Sequence, residues 1–276
     1  MLENRTDERC VDSTDQLVDL WAEAAAFPVH QSEQALALFL KRLSDLLGAC
    51  SGSWIAMKKL EGNPRKVKPE DYQVMIDQLD GWAPVSAVYT VKHKNLKSVL
   101  GRWLMHARNE GIDAMSKAIA KERGHTRTFI REDVATAEEW ENHWISRDFL
   151  SHYGIGDRMI SMFNIDKHAE ACIVMDRAVG DAEFGVEEKK ILHLAISGIA
   201  GLHKRVFMEN GFLGTSAPLS KRERETYRYL LTNLSESQIA EAMKLSIHTV
   251  HDYARGVYKK FFVKGRLALM AKVMGG

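Results

Sequence analysis

The sequence predicts an α+β fold in two parts: a larger mixed α/β sandwich, then a small all-helical domain. Three observations carry this. A length of 276 residues suits about two domains. Upstream, helix-period patterns alternate with short strand-like runs, the signature of an α+β sandwich. After the Gly/Ser/Pro-rich stretch NGFLGTSAP (Asn210 to Pro218), only helical patterns remain. The expected organisation is a first domain over 1–209, a linker over 210–218 and a second domain over 219–276.

In chain order, Ser32 reads as an N-cap, and Leu36, Phe39, Leu40, Leu43, Leu46 and Leu47 follow at helical spacing. Ser51 to Met57 reads as a strand around Trp54 and Ile55, Glu70 to Leu79 as a helix and Ser86 to Val91 as a strand. Asn95 to Arg108 is a helix with Val99, Leu100, Trp103 and Leu104 inward. Thr136 and Glu139 form a capping box for a helix through Trp144. Met159 to Ile165 and Ala171 to Met175 pair as strands, with His168 near their turn. A long helix from about Val186 to Met208 carries Ile191, Ala195, Gly198, Leu202 and Val206 as its apolar stripe. A hairpin followed by FGVEEKKILHLAISGIAGLHKRV and a linker resembles a GAF-like sensor module over roughly Leu36 to Met208.

Composition narrows the class. Apolar residues are 45% and charged residues 27%, ordinary for a globular protein. No apolar run approaches the ~18 residues that span a bilayer. The start, MLENRTDERC, has no apolar signal region, so a cytoplasmic protein away from membranes is expected. Cys10, Cys50 and Cys172 are odd in number and form no CxxC pair, which predicts neither a disulfide framework nor a zinc site. From Leu219 onward 11 basic residues face 5 acidic ones, a net of +6, while upstream 27 face 32, a net of −5. A basic tail on an acidic body suits a polyanionic partner.

That tail has polar starts ahead of its helices. Ser220 with Glu223 and Ser235 with Gln238 are capping boxes, Ser246 caps a third helix to about Lys260, and a fourth runs from about Arg266 to Val273. Tyr227, Leu230 and Leu231 face inward from the first helix, and Ile239, Ala240 and Met243 from the second. On the third, Val250, Ala254, Val257 and Phe261 share one face, leaving His248, His251, Asp252, Arg255 and Lys259 on the other. With the tight turn Lys244-Leu245-Ser246, this describes a four-helix domain with a helix-turn-helix, whose third helix fits the B-DNA major groove.

The same residues resemble the LuxR/GerE family of DNA-binding domains. The matching stretches are Leu219-Ser220-Lys221-Arg222-Glu223-Arg224-Glu225, Ile239-Ala240, Ser246-Ile247-His248-Thr249-Val250 and Lys260-Phe261, without a gap. The resemblance implies that His251, Asp252 and Arg255 read bases and that Thr249 and nearby lysines meet phosphates. Chemistry adds detail. Arg255 suits a bidentate pair to guanine, His251 can donate to guanine N7, and ionised Asp252 can only accept, favouring a cytosine amine. Lys244, Lys259, Lys260 and Lys264 are the expected phosphate contacts. Tyr253 stands where the family usually has His, Phe262 where a small or polar residue is usual, and His251 where Lys is common, which removes a fixed charge at neutral pH. Paired half-sites imply a homodimer, with Leu267, Met270 and Val273 as seam candidates.

Upstream, all six tryptophans (Trp21, Trp54, Trp82, Trp103, Trp140 and Trp144) precede the linker, as core packing or as the lining of a ligand pocket. No ligand-binding residue is assigned. There is no GxxxxGK[ST], no early phosphoacceptor cluster, and neither the Trp-x-x-x-Tyr nor the Asp-Pro of the family's acyl-homoserine-lactone receptors. The upstream histidines, including His93, His106, His125, His143, His152, His168, His193 and His203, show no HExxH, and no nucleophile elbow is readable. The expectation is a transcriptional regulator that binds double-stranded DNA and is not an enzyme, without metal or cofactor. Its first domain senses a small-molecule or protein signal. The alternative is a protein-interaction regulator with weak or no DNA binding that pairs with another regulator.

Overall fold

The computed structural model describes residues 3–60, 69–91 and 95–275, without the side chains of 3–13, Pro69 and Tyr72. His93 and the Cys10 side chain lie outside the described residues. By contacts the chain forms two compact units, Met1–Ala24 with Ala37–Ala200, and Ala25–Leu36 with Gly201–Gly276.

The first unit is the expected α+β sandwich. Its antiparallel sheet has the order β2-β1-β5-β4-β3, with β1 Ser51–Lys59, β2 Trp82–Tyr89, β3 Arg127–Phe129, β4 Ile155–Asp166 and β5 Ala169–Ala178. Side chains alternate across it. Ile160, Met162, Cys172 and Val174 point to one face, into a core shared with α3 (Pro69–Leu79), α4 (Leu96–Glu110), α5 (Ala114–Lys121) and α6 (Ala137–Asn142). Met175 points to the other face, where Ser44 of α2 (Ser32–Leu46) donates to its sulfur at 3.6 Å.

Several local expectations are met and several shift. The capping box at Thr136 and Glu139 is present, but its helix ends at Asn142 and a π-helical turn, Ile145–Leu150, follows. His168 lies in the β4–β5 turn. Ser32 begins α2 but donates to the Val29 carbonyl at 2.8 Å instead of capping the helix. Strand β2 starts at Trp82, four residues before the expected Ser86. Pro84 lies in it opposite Met57, beside a register shift, and an edge strand tolerates a residue that cannot donate. The helix α1 (Glu3–Ala25) was not expected; it buries Leu17, Leu20 and Ala24. The long helix expected to Met208 is two, α7 (Val186–Gly198) and α8 (Ala200–Glu209), broken at Ile199. The break falls where Gly198 and Gly201 lower helix propensity. Gly198 lies against an aromatic ring: a Cβ there would lie 2.2 Å from the Trp21 ring, which also donates to the Ala195 carbonyl.

The second unit is a helical bundle of α9 (Lys221–Leu230), α10 (Glu236–Met243), α11 (Ile247–Lys260) and α12 (Arg266–Met274). Its core contains Tyr227, Leu230, Ile239, Met243, Val250, Ala254, Val257, Phe261, Leu269 and Val273. The Tyr227 and Phe261 rings stack 5.4 Å apart. All nine residues expected as the linker fall inside this unit, and hydrogen bonds tie them to it. Ser216 N–H donates to the Lys260 carbonyl at 2.9 Å, Leu219 N–H to that of Asn210 at 3.1 Å, and Lys272 Nζ to that of Gly214 at 3.0 Å.

Candidate nucleic-acid interface

Three serine caps fix the helices around the interface. Ser220 and Ser235 make reciprocal capping boxes with Glu223 and Gln238. Ser246 Oγ accepts the Thr249 N–H at 3.1 Å and starts α11. Between α10 and α11, Lys244 adopts the left-handed conformation at φ 55° and Leu245 N–H returns to the Ala240 carbonyl at 2.9 Å. This closes the helix-turn-helix and leaves the Lys244 side chain exposed, at a backbone cost of about 1 kcal/mol.

Helix α11 divides as its spacing requires. Val250, Ala254, Val257 and Phe261 are fully buried. His248, His251, Asp252, Arg255 and Lys259 are all exposed, so the expected base-reading residues share the outward face. Among the described residues, the side chains of Asp252, Arg255, Lys244, Lys259 and Lys264 make no hydrogen bond or ion pair, leaving their charges available to a partner. Thr249 is half-buried, its hydroxyl 2.8 Å from that of Ser246. His251 is engaged: its Nδ1 lies 3.1 Å from Oε2 of Glu236 in the first turn of α10.

Lys260 differs from its neighbour. Its ammonium donates to Glu223 Oε2 at 2.7 Å and to the Pro218 carbonyl at 2.9 Å, an internal tie between α11 and α9. Burial raises the Glu223 carboxyl, but the Lys260 and Ser220 hydrogen bonds outweigh it and hold the group below the usual carboxylate range. Gly256 permits this approach, since a Cβ there would sit 3.2 Å from Glu223 Oε1. Of the seam candidates, Leu267 is 84% exposed, Met270 is half-buried against the core, and Val273 is itself core, its apolar surface already covered.

Two functional supports have no local sequence signal. Arg266 donates to the carbonyls of Leu230 (2.9 Å), Tyr229 (3.4 Å), Thr232 and Leu234, clasping the turn between α9 and α10. Arg228 joins Glu209 at the end of α8 to Glu33 at the start of α2. Burial, with Glu33 nearby, pushes the Glu209 carboxyl up to about 7.

The first unit holds a cavity of about 160 Å³ on the helix-covered face of the sheet. Ile55, Met57, Leu100, Trp103, Ile160 and Val174 make its wall apolar. Tyr89 and Arg158 are its polar landmarks. Among the described residues the buried Tyr89 hydroxyl has no hydrogen-bond partner, and burial pushes it up to about 12, so it is a neutral donor. Arg158 uses Nε on Asp176 at 2.8 Å. Trp103 lines this cavity, whereas Trp54, Trp82, Trp140 and Trp144 are buried in the core. Among the described residues, His106, Glu110 and Asp148 come close enough for one cation, but the Arg147 guanidinium already lies against both carboxylates.

A basic bundle with a capped, outward-facing third helix defines a helix-turn-helix domain. A family model described as bacterial regulatory proteins, luxR family, matches residues 217–273, and this segment is a LuxR-family domain. None of the curated proteins matches the chain. Similar solved structures include SdiA in complex with octanoyl-rac-glycerol, 12% identical, covering 94% of each chain with a TM-score of 0.43. Escherichia coli SdiA is 11% identical over 95% of this chain and 98% of that one, with a TM-score of 0.42. The VqsR LBD domain from Pseudomonas aeruginosa is 13% identical over 71% of this chain and 95% of that one, with a TM-score of 0.42. No helix among the described residues is long and apolar enough to cross a membrane.

Proposed function

We propose that this protein is a sequence-specific transcriptional regulator acting in the cytoplasm as a homodimer, whose α+β unit binds a small apolar signal molecule. The observation that carries the DNA-binding part is the division of α11: four core residues on one side, and His251, Asp252 and Arg255 exposed on the other. An α-helix with donors and acceptors on its free face is the reader that the major groove accommodates. Arg255 pairs with a guanine, while Lys244, Lys259, Lys264 and Thr249 hold the phosphates that set register. Leu267 and Met270, on α12, form the seam that places two such helices on paired half-sites.

The cavity supports the sensing part. An apolar wall with a guanidinium and a buried hydroxyl that has no partner among the described residues suits a small ligand with one hydrogen-bond-accepting group.

The test is selection of binding sites by the full chain from genomic fragments, followed by titrations at two salt concentrations. Enriched sequences with a two-fold repeat are expected, with affinity falling as salt rises. Absence of any enriched sequence would refute the reading and leave a protein-interaction regulator in its place.

A further inference from the structure

We infer that Glu236 sets which way His251 reads DNA, holding its ring as a hydrogen-bond acceptor so that α11 selects an exocyclic amine, cytosine or adenine, where His251 meets a base. This rests on the proposed base-reading role of α11. The observation is the contact between His251 Nδ1 and Glu236 Oε2 at 3.1 Å. An ionised carboxylate can only accept a hydrogen bond, so the nitrogen facing it must carry the proton. Glu236 lies in the first turn of α10, where the helix dipole favours its charge. In neutral imidazole, a proton on Nδ1 leaves Nε2 a bare acceptor, and among the described residues Nε2 has no partner.

The consequence reverses the expectation from sequence. An Nε2–H would donate to guanine N7, whereas a bare Nε2 accepts from the N4 amine of cytosine or the N6 amine of adenine. Asp252, next along the helix, is also an acceptor, so the outward face presents two adjacent acceptors and, one turn later, the Arg255 donor fork. The pair is half-exposed in the free protein, and a duplex laid over it removes water and strengthens it. The groups around the ring are Glu236 from α10 and, on α11 itself, Asp252 beside it with His248 and Arg255 a turn away. The phosphates of the duplex add negative charge.

Glu236 is a positioning residue, since it acts through His251. The test is site selection at one fixed pH with the full-length wild type, Glu236→Lys, Glu236→Asp, His251→Ala and Arg255→Ala. The base pair that His251 reads is the one whose preference His251→Ala erases while the Arg255 position is kept. The wild type selects an amine-bearing base there. Glu236→Lys, whose ammonium can only donate, obliges Nδ1 to accept and leaves the proton on Nε2, which moves that one position toward guanine by at least about fivefold. Glu236→Asp retains the wild-type preference. If wild type has sequence preferences but Glu236→Lys shifts none, or wild type selects guanine at the His251 position, this inference alone falls. If wild type has no preference at any position, the base-reading role falls and takes the inference with it.

Discussion

Replacing Lys259 and Lys260 one at a time separates binding from folding in adjacent residues. Lys259 is exposed and unpaired among the described residues, so Lys259→Ala should remove a phosphate contact and leave the bundle intact. One contact contributes about 0.9 to the slope of log affinity against log salt, which at 0.15 M is about 1 kcal/mol, or about fivefold. Lys260 instead donates to Glu223 and the Pro218 carbonyl, with its side chain 24% exposed. Lys260→Met keeps the aliphatic stem and deletes both bonds. A charge-assisted bond is worth about 1.5–3 kcal/mol, and partial exposure lowers the expected stability loss to about 1–2 kcal/mol. Anisotropy titrations across a salt series and urea denaturation measure the two effects. The sign with pH follows from the depressed Glu223 carboxyl: the stabilisation is present above the ordinary glutamate range, about 4.3, and fades as pH falls through the lower folded value. The Lys260→Met cost should fade with it. A Lys260→Met protein of unchanged stability whose salt slope drops by about one would refute this assignment.

Arg266→Ala should lower stability by about 2–4 kcal/mol in thermal or urea unfolding, because one guanidinium satisfies four carbonyls of the α9–α10 turn; a loss under about 0.5 kcal/mol would show that water replaces it fully. Glu209 titrates near neutrality and is raised in the folded state, so its contribution is most favourable below the unfolded carboxylate range and declines as pH rises toward about 7. Melting of Glu209→Gln across that window should show a flatter pH profile than wild type, and parallel profiles would contradict it.

The helical bundle was largely legible because its signals are local. Ser220 with Glu223, Ser235 with Gln238, and the Val250, Ala254, Val257, Phe261 stripe lie within a turn or a few turns of one another. Roles that depend on distant partners were not legible. Lys260 sits 37 residues from Glu223, so nothing near it marked its charge as already engaged. The Arg266 acceptors are backbone carbonyls, which every residue possesses. In the first unit, Pro84 obscured an edge strand and the break at Ile199 depends on glycines that helical spacing alone does not weigh. Helix α1 escaped because Leu17, Leu20 and Ala24 stand among acidic and polar neighbours.

Gly256 makes α11 dependent on its surroundings. A glycine inside a helix costs about 1 kcal/mol of propensity relative to alanine, and here it buys close approach to Glu223. A 14-residue segment carrying that cost is too short to hold its helical shape alone in water. The proposed reading face is therefore not portable as a peptide. Moving His251, Asp252 and Arg255 onto another scaffold would require a groove shaped like that of α9, and a graft that changed Gly256 to a better helix former would have to move the Glu223 carboxylate that anchors the far end of the same helix.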